Sequence, residues 1–165
     1  MEFTFLKIAE LFATLEDVNI QERGDATFTI DGNKFKVNRL PLVESDRLIN
    51  RTKRILSKYQ SSIWAEFTGD QSDYSEQQAG AKVMGLIETM LAEEDVNELK
   101  YELCAATLIE LNGSFVHLKQ AVINSKISNR DDLMAVALVY LEVNAAGFFT
   151  QRLITSLLSR AQTAA

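Results

Sequence analysis

Apolar residues recur at steps of three and four near the start of the chain. Phe5, Ile8, Leu11, Phe12 and Leu15 share one side of a helix predicted over Phe3 to Leu15. The stretch from Val18 to Gly24 reads equally as an added strand or a loop. The period then changes from helical to alternating. Thr27-Phe28-Thr29-Ile30 and Lys34-Phe35-Lys36-Val37 flank Asp31-Gly32-Asn33. Aspartate and glycine accept the left-handed backbone of a tight reversal, so 26–38 is predicted as a β-hairpin with Phe28, Ile30, Phe35 and Val37 on one face. A lone hairpin is marginally stable, so that face is expected to rest on helices.

Pro41, the single proline, closes the hairpin segment. A second helix is predicted from Leu42 to about Tyr59, with Val43, Leu48, Ile49 and Ile55 among its apolar positions. The polar run over 66–77, rich in turn formers, predicts a mobile loop. A third helix is predicted from about Gln78 to Leu91, and a fourth from about Glu93 to Leu111, stopped by Asn112-Gly113. Phe115 to Ile123 reads as a short fifth helix. Asn129 is a good N-cap for a sixth, with Asp131 and Asp132 in its first turn. Asn144-Ala145-Ala146-Gly147 is a candidate break, beyond which 145–165 forms a separable C-terminal helix. These elements predict a mainly α fold with a small N-terminal β-hairpin (α+β). The expected architecture is a bundle of about five to seven helices in a single domain over 1–165.

Charge narrows the partners. The net charge of −6 and pI near 4.9 do not favour nucleic acid or an anionic membrane. The local basic run Arg47, Arg51, Lys53, Arg54 and Lys58 reads as a solvated helix face. The most apolar run, Leu133 to Val143, falls short of the roughly 20 residues of a membrane span and reads as a buried helix. No secretory signal is visible, and the single cysteine, Cys104, reads as a core side chain suited to a reducing cytosol.

Catalytic patterns are missing from the sequence. His117 is the only histidine and has no companion for a histidine- or cysteine-rich zinc site. No glycine-rich phosphate loop or nucleophile elbow occurs. Glu93-Glu94-Asp95 and Asp131-Asp132 are explained by helix starts. The expectation is therefore a non-catalytic protein without cofactor or metal. The apolar stripe Phe148, Phe149, Leu153 and Leu157 near the chain end is the candidate partner-binding element. Self-association through the same stripe is the competing expectation.

Several stretches together resemble one family. Thr27 to Val37 is written like the hairpin of phage tail assembly chaperones, the small proteins made beside the tail tape-measure protein. Arg39-Leu40-Pro41 resembles the line that leads into their next helix. Leu91 to Leu99 is similar to a later helix, and Leu141-Glu142-Val143-Asn144, together with Phe148-Phe149, to their closing segment. The resemblance implies a chaperone of the host cytoplasm that covers apolar helical stretches of a tape-measure protein by helix-in-groove burial. The helix ahead of the hairpin and the tail beyond Thr150 lie outside the pattern. They point to a related baseplate or hub assembly factor instead; a structural baseplate or tail-completion protein retained in the virion is the second reading. A helical regulator unrelated to phage is the third reading.

Overall fold

A computed structural model describes residues 4–22, 24–58 and 76–149. Helix α1 (Phe5–Phe12) precedes β1 (Glu16–Ile20), β2 (Ala26–Ile30) and β3 (Asn33–Val37). Helices α2 (Leu42–Lys58), α3 (Glu76–Leu91) and α4 (Glu94–Ala106) then intervene before β4 (Leu108–Leu111) and β5 (Ser114–His117). Helices α5 (Gln120–Lys126) and α6 (Arg130–Phe149) complete the described chain.

The five strands form one antiparallel sheet in the order β1-β2-β3-β4-β5. This corrects the expected helical bundle with a small hairpin: the fold is α+β, with six helices among the described residues packed with a five-stranded sheet. Two stretches account for the difference. Residues 108–111, expected to prolong the fourth helix, form β4, and 114–117, overlapping the start of the fifth helix expected from Phe115, form β5. Asn112 and Gly113, expected to stop a helix, have φ of +51° and +82° and close a two-residue hairpin turn. The ambiguous stretch after the first helix supplies β1.

The β2–β3 hairpin is legible because its alternation is real. Phe28 lies opposite Phe35 with ring centroids 5.3 Å apart, and Phe28, Ile30, Phe35 and Val37 are all buried. Ile109 of β4 pairs with Phe35 and extends the buried row. Asp31 and Gly32 make the turn, with φ of +50° and +78°.

Helix α6 forms the centre of the helical layer. From Leu133 to Val143 nearly every side chain is buried, as expected of a helix that is apolar all round. It packs against α1, α4 and α2, and touches β3. Asn129 caps it, its Oδ1 accepting from the Asp131 N–H at 3.0 Å. In α1, Thr4 Oγ1 accepts from the Lys7 N–H at 3.0 Å. The first turn of α1 has no acid of its own. Glu142 of α6 serves instead, its Oε2 accepting from the Leu6 N–H at 3.4 Å. Negative charge at a helix N-terminus is favoured by the exposed N–H groups there. Burial nonetheless pushes the Glu142 carboxyl above its ordinary range, against the lowering effect of bonds from Leu6 and Phe5.

Candidate partner-binding end

The chain leaves β3 through Asn38-Arg39-Leu40 and enters α2 behind Pro41, whose carbonyl accepts from the Ser45 N–H at 2.9 Å. Proline before the first helical residue removes an N–H that the helix does not use. This connection is locked to the distant end of α6. Asn144 Oδ1 accepts from the Leu40 N–H at 2.7 Å, and its Nδ2 donates to the Asn38 carbonyl at 3.2 Å. Ser45 Oγ donates to the Asn144 carbonyl at 2.8 Å, and Arg39 Nη1 to the Val143 carbonyl, also at 2.8 Å. The second guanidinium arm of Arg39 donates to the Gln21 carbonyl.

These bonds correct the expected hinge at 144–147. Helix α6 continues unbroken to Phe149. Buried Asn144 is a side-chain bridge to backbone about a hundred residues earlier rather than a breaker. Ala145 is buried and alanine is the best helix former, and the helix runs on through Gly147 despite that residue's lower helix propensity.

Beside the lock, the first turn of α2 exposes two large apolar side chains. Leu42 is 77% and Val43 59% accessible. Sequence periodicity places Val43 with the buried stripe of its helix and does not single out Leu42. Their position in the first turn, ahead of buried Leu48, Ile49 and Ile55, is the available signal. The backbone of Phe148 and Phe149 forms the last turn of α6, one helical turn beyond Asn144. The side chains of these two phenylalanines, and the whole of Leu153 and Leu157, lie outside the described residues. The lock thus brings Leu42 and Val43 to the same end of the molecule as the first half of the predicted stripe.

The basic run on α2 is a largely solvated face, with Arg47, Lys53, Arg54 and Lys58 exposed, and two of its residues reach α4. Arg51 makes a two-armed ion pair with Glu102 of α4, which raises the arginine's pKa. Lys58 bonds Asp95 at 3.3 Å. Both pairs are substantially exposed, so each contributes at most about 1 kcal/mol and serves mainly to register α2 on α4.

Cys104 and His117 stand in different environments. The Cys104 thiol is fully buried and donates to the Leu133 carbonyl at 3.3 Å; burial pushes its pKa up to about 12. His117 lies on the exposed strand β5. A thiol held protonated in the core has no thiolate with which to attack. Among the described residues, no group of three or more His, Cys, Asp or Glu side chains is arranged to hold a metal ion. Among the same residues, no helix is long and apolar enough to cross a membrane.

Comparison of the chain with family models, with curated proteins and with solved structures finds no match.

Proposed function

We propose that the protein is a non-catalytic phage tail assembly chaperone that holds apolar helical stretches of a tape-measure protein before the tail tube polymerises. One observation carries the reading. Two stretches through which the sequence resembles that family, Arg39-Leu40-Pro41 and Leu141 to Asn144, lie far apart in the chain yet are bonded to each other. Their junction stands beside exposed Leu42 and Val43 and one helical turn before Phe148. A rigid junction holding apolar side chains toward solvent is what a helix-in-groove contact needs.

Each apolar side chain buried in such a contact contributes about 1.5–3 kcal/mol before association costs. A few together support reversible, micromolar holding, which suits a protein that must release its client. Net acidity keeps the unloaded chaperone soluble.

The test is co-expression with a candidate phage tape-measure protein. A soluble complex is expected on size exclusion. The double change Leu42→Asp and Val43→Asp, at exposed positions, should abolish the complex while leaving the melting temperature unchanged. Absence of any complex with the unaltered chain would remove the proposal. Mass spectrometry of purified particles separates the baseplate alternative, since a chaperone is absent from them and a structural component is present at fixed stoichiometry.

A further inference from the structure

The sheet has two edges, and they are built differently. At one edge, β1 carries Glu16 and Asp17, Asp17 has φ of +51°, and the pairing with β2 shifts register between Glu16 and Asn19. Charge and a bulge are the usual devices that keep an edge strand from recruiting another strand. The other edge, β5, has none of them. Ser114-Phe115-Val116-His117 contains no Asp, Glu, Lys, Arg or Pro, its register with β4 is unbroken, and all four residues are exposed. Phe115 is 36% and Val116 37% accessible.

The turn determines which hydrogen-bonding groups of β5 are free. Leu111 and Ser114 flank a two-residue turn and so form the closing bonded pair. Alternation makes Ile109–Val116 the next bonded pair, and the Leu118 N–H donating to the Thr107 carbonyl at 2.9 Å continues it. The N–H and C=O groups of Phe115 and His117 therefore point away from β4. Of these, the His117 carbonyl also accepts from the Lys119 N–H at 2.8 Å and keeps a second lone pair.

We propose that β5 is a self-association edge, pairing antiparallel with β5 of a second copy about a two-fold axis at Val116. This is independent of the tape-measure reading. With the axis there, Phe115 of each copy meets His117 of the other, and the outward N–H and C=O groups of the two residues satisfy one another in reciprocal pairs. The array is self-complementary, as an isologous interface requires, and because β5 carries no Asp, Glu, Lys or Arg, two copies meet along it without like-charge repulsion. Val116 lies in the row of Phe35 and Ile109 and meets its own copy, so the apolar row continues across the axis. On the opposite face the Phe115 ring, with Lys34 and Lys36 ammonium groups 6.0 and 5.5 Å from its centroid, sits beside the second copy's imidazole. A four-residue edge buries far less than the roughly 1,200 Å2 of a stable complex, so the dimer is expected to be reversible, with a dissociation constant on the order of 10–100 μM.

Sedimentation equilibrium of the full chain over a concentration range spanning that constant provides the test. The unaltered chain should shift from monomer to dimer. His117→Pro deletes an outward N–H without touching the ladder to β4, and should weaken association at least about tenfold, whereas His117→Ala keeps that N–H and should weaken it much less. Val116→Lys places two like charges at the axis and should abolish the dimer; with Val116 37% accessible at the sheet edge, the variant's melting curve in dilute solution should stay close to the parent's. A chain that stays monomeric at every concentration overturns the proposal. So does a dimer that survives both His117→Pro and Val116→Lys, which would locate self-association elsewhere.

Discussion

The two hairpins of the sheet have nearly the same turn and opposite situations. Asp31-Gly32 and Asn112-Gly113 share backbone angles, φ of +50° and +78° against +51° and +82°. The first hairpin buries Phe28, Ile30, Phe35 and Val37. The second buries only Ile109 and leaves every residue of β5 exposed. Turn chemistry therefore decides that the chain reverses, while the inward face of the strands decides whether the reversal belongs to the core or to an edge.

The largest expected effects test that division. Phe35→Ala removes a fully buried ring stacked on Phe28 and should cost about 3–5 kcal/mol in urea unfolding. Ile109→Ala, at the one anchored position of the second hairpin, should cost about 2–5 kcal/mol. Val116→Ala, measured in dilute solution, should stay within about 0.5 kcal/mol of the parent. A large loss at Val116, or a small one at Phe35, would break the comparison.

The same contrast explains how much of the fold is legible in the sequence. In β2 one face is Ala, Phe and Ile and the other Thr, and in β3 Phe35 and Val37 alternate with Lys34 and Lys36, so the period of two stands out. In β4 and β5 the apolar residues Leu108, Ile109, Leu111, Phe115 and Val116 fall on both faces. Leu103, Cys104 and Ala106 precede them at helical spacing, so the helical pattern runs on without a visible change of period. Asn112-Gly113 does not mark the change either, because a helix stop and a hairpin turn use the same left-handed backbone. Only the pairing of residues 114–117 with 108–111 distinguishes the two. The long-range lock is out of reach for another reason. Nothing near Asn144 in sequence shows that its amide bonds to residues 38 and 40, so a small polar residue before Ala-Ala-Gly resembles a hinge. In the candidate partner-binding end, Phe148 and Phe149 are an expectation from periodicity whose side chains lie outside the described residues, whereas the exposure of Leu42 and Val43 depends on where α2 lies on the body.

An intermediate effect sharpens the claim that the turns are equivalent. Neither Gly32 nor Gly113 has any atom within 4 Å of where a Cβ would stand, so substitution is opposed by backbone conformation alone. Gly32→Ala and Gly113→Ala should each cost about 1–2 kcal/mol, and by nearly the same amount. Paired urea titrations measure this directly. A much larger cost at Gly32 would mean that the anchored hairpin resists turn strain differently from the edge hairpin.

The smallest effect lies in the one chemical difference between the turns, aspartate in the first and asparagine in the second. The Asp132 carboxyl at the start of α6 is raised above its ordinary value of 3.8, first by burial and then by repulsion from Asp31 and Asp131. A raised carboxyl binds its proton more tightly in the folded chain than in the unfolded one. The associated destabilisation is therefore absent below the ordinary value and develops as pH rises through the folded value. Asp31→Asn keeps a residue that suits the left-handed turn, as Asn112 shows at the same φ, and removes one of the two repelling charges. At neutral pH the variant should melt slightly higher than the parent, by about 1 °C or less, because Asp31 is exposed and its field is screened. Well below the ordinary carboxylate range, where Asp132 is protonated in the folded and the unfolded chain alike, the two melting curves should converge. A gain that persists unchanged into acid would assign it to turn propensity instead, and a loss at neutral pH would mean that Asp31 holds the first turn through a contact its asparagine counterpart cannot make.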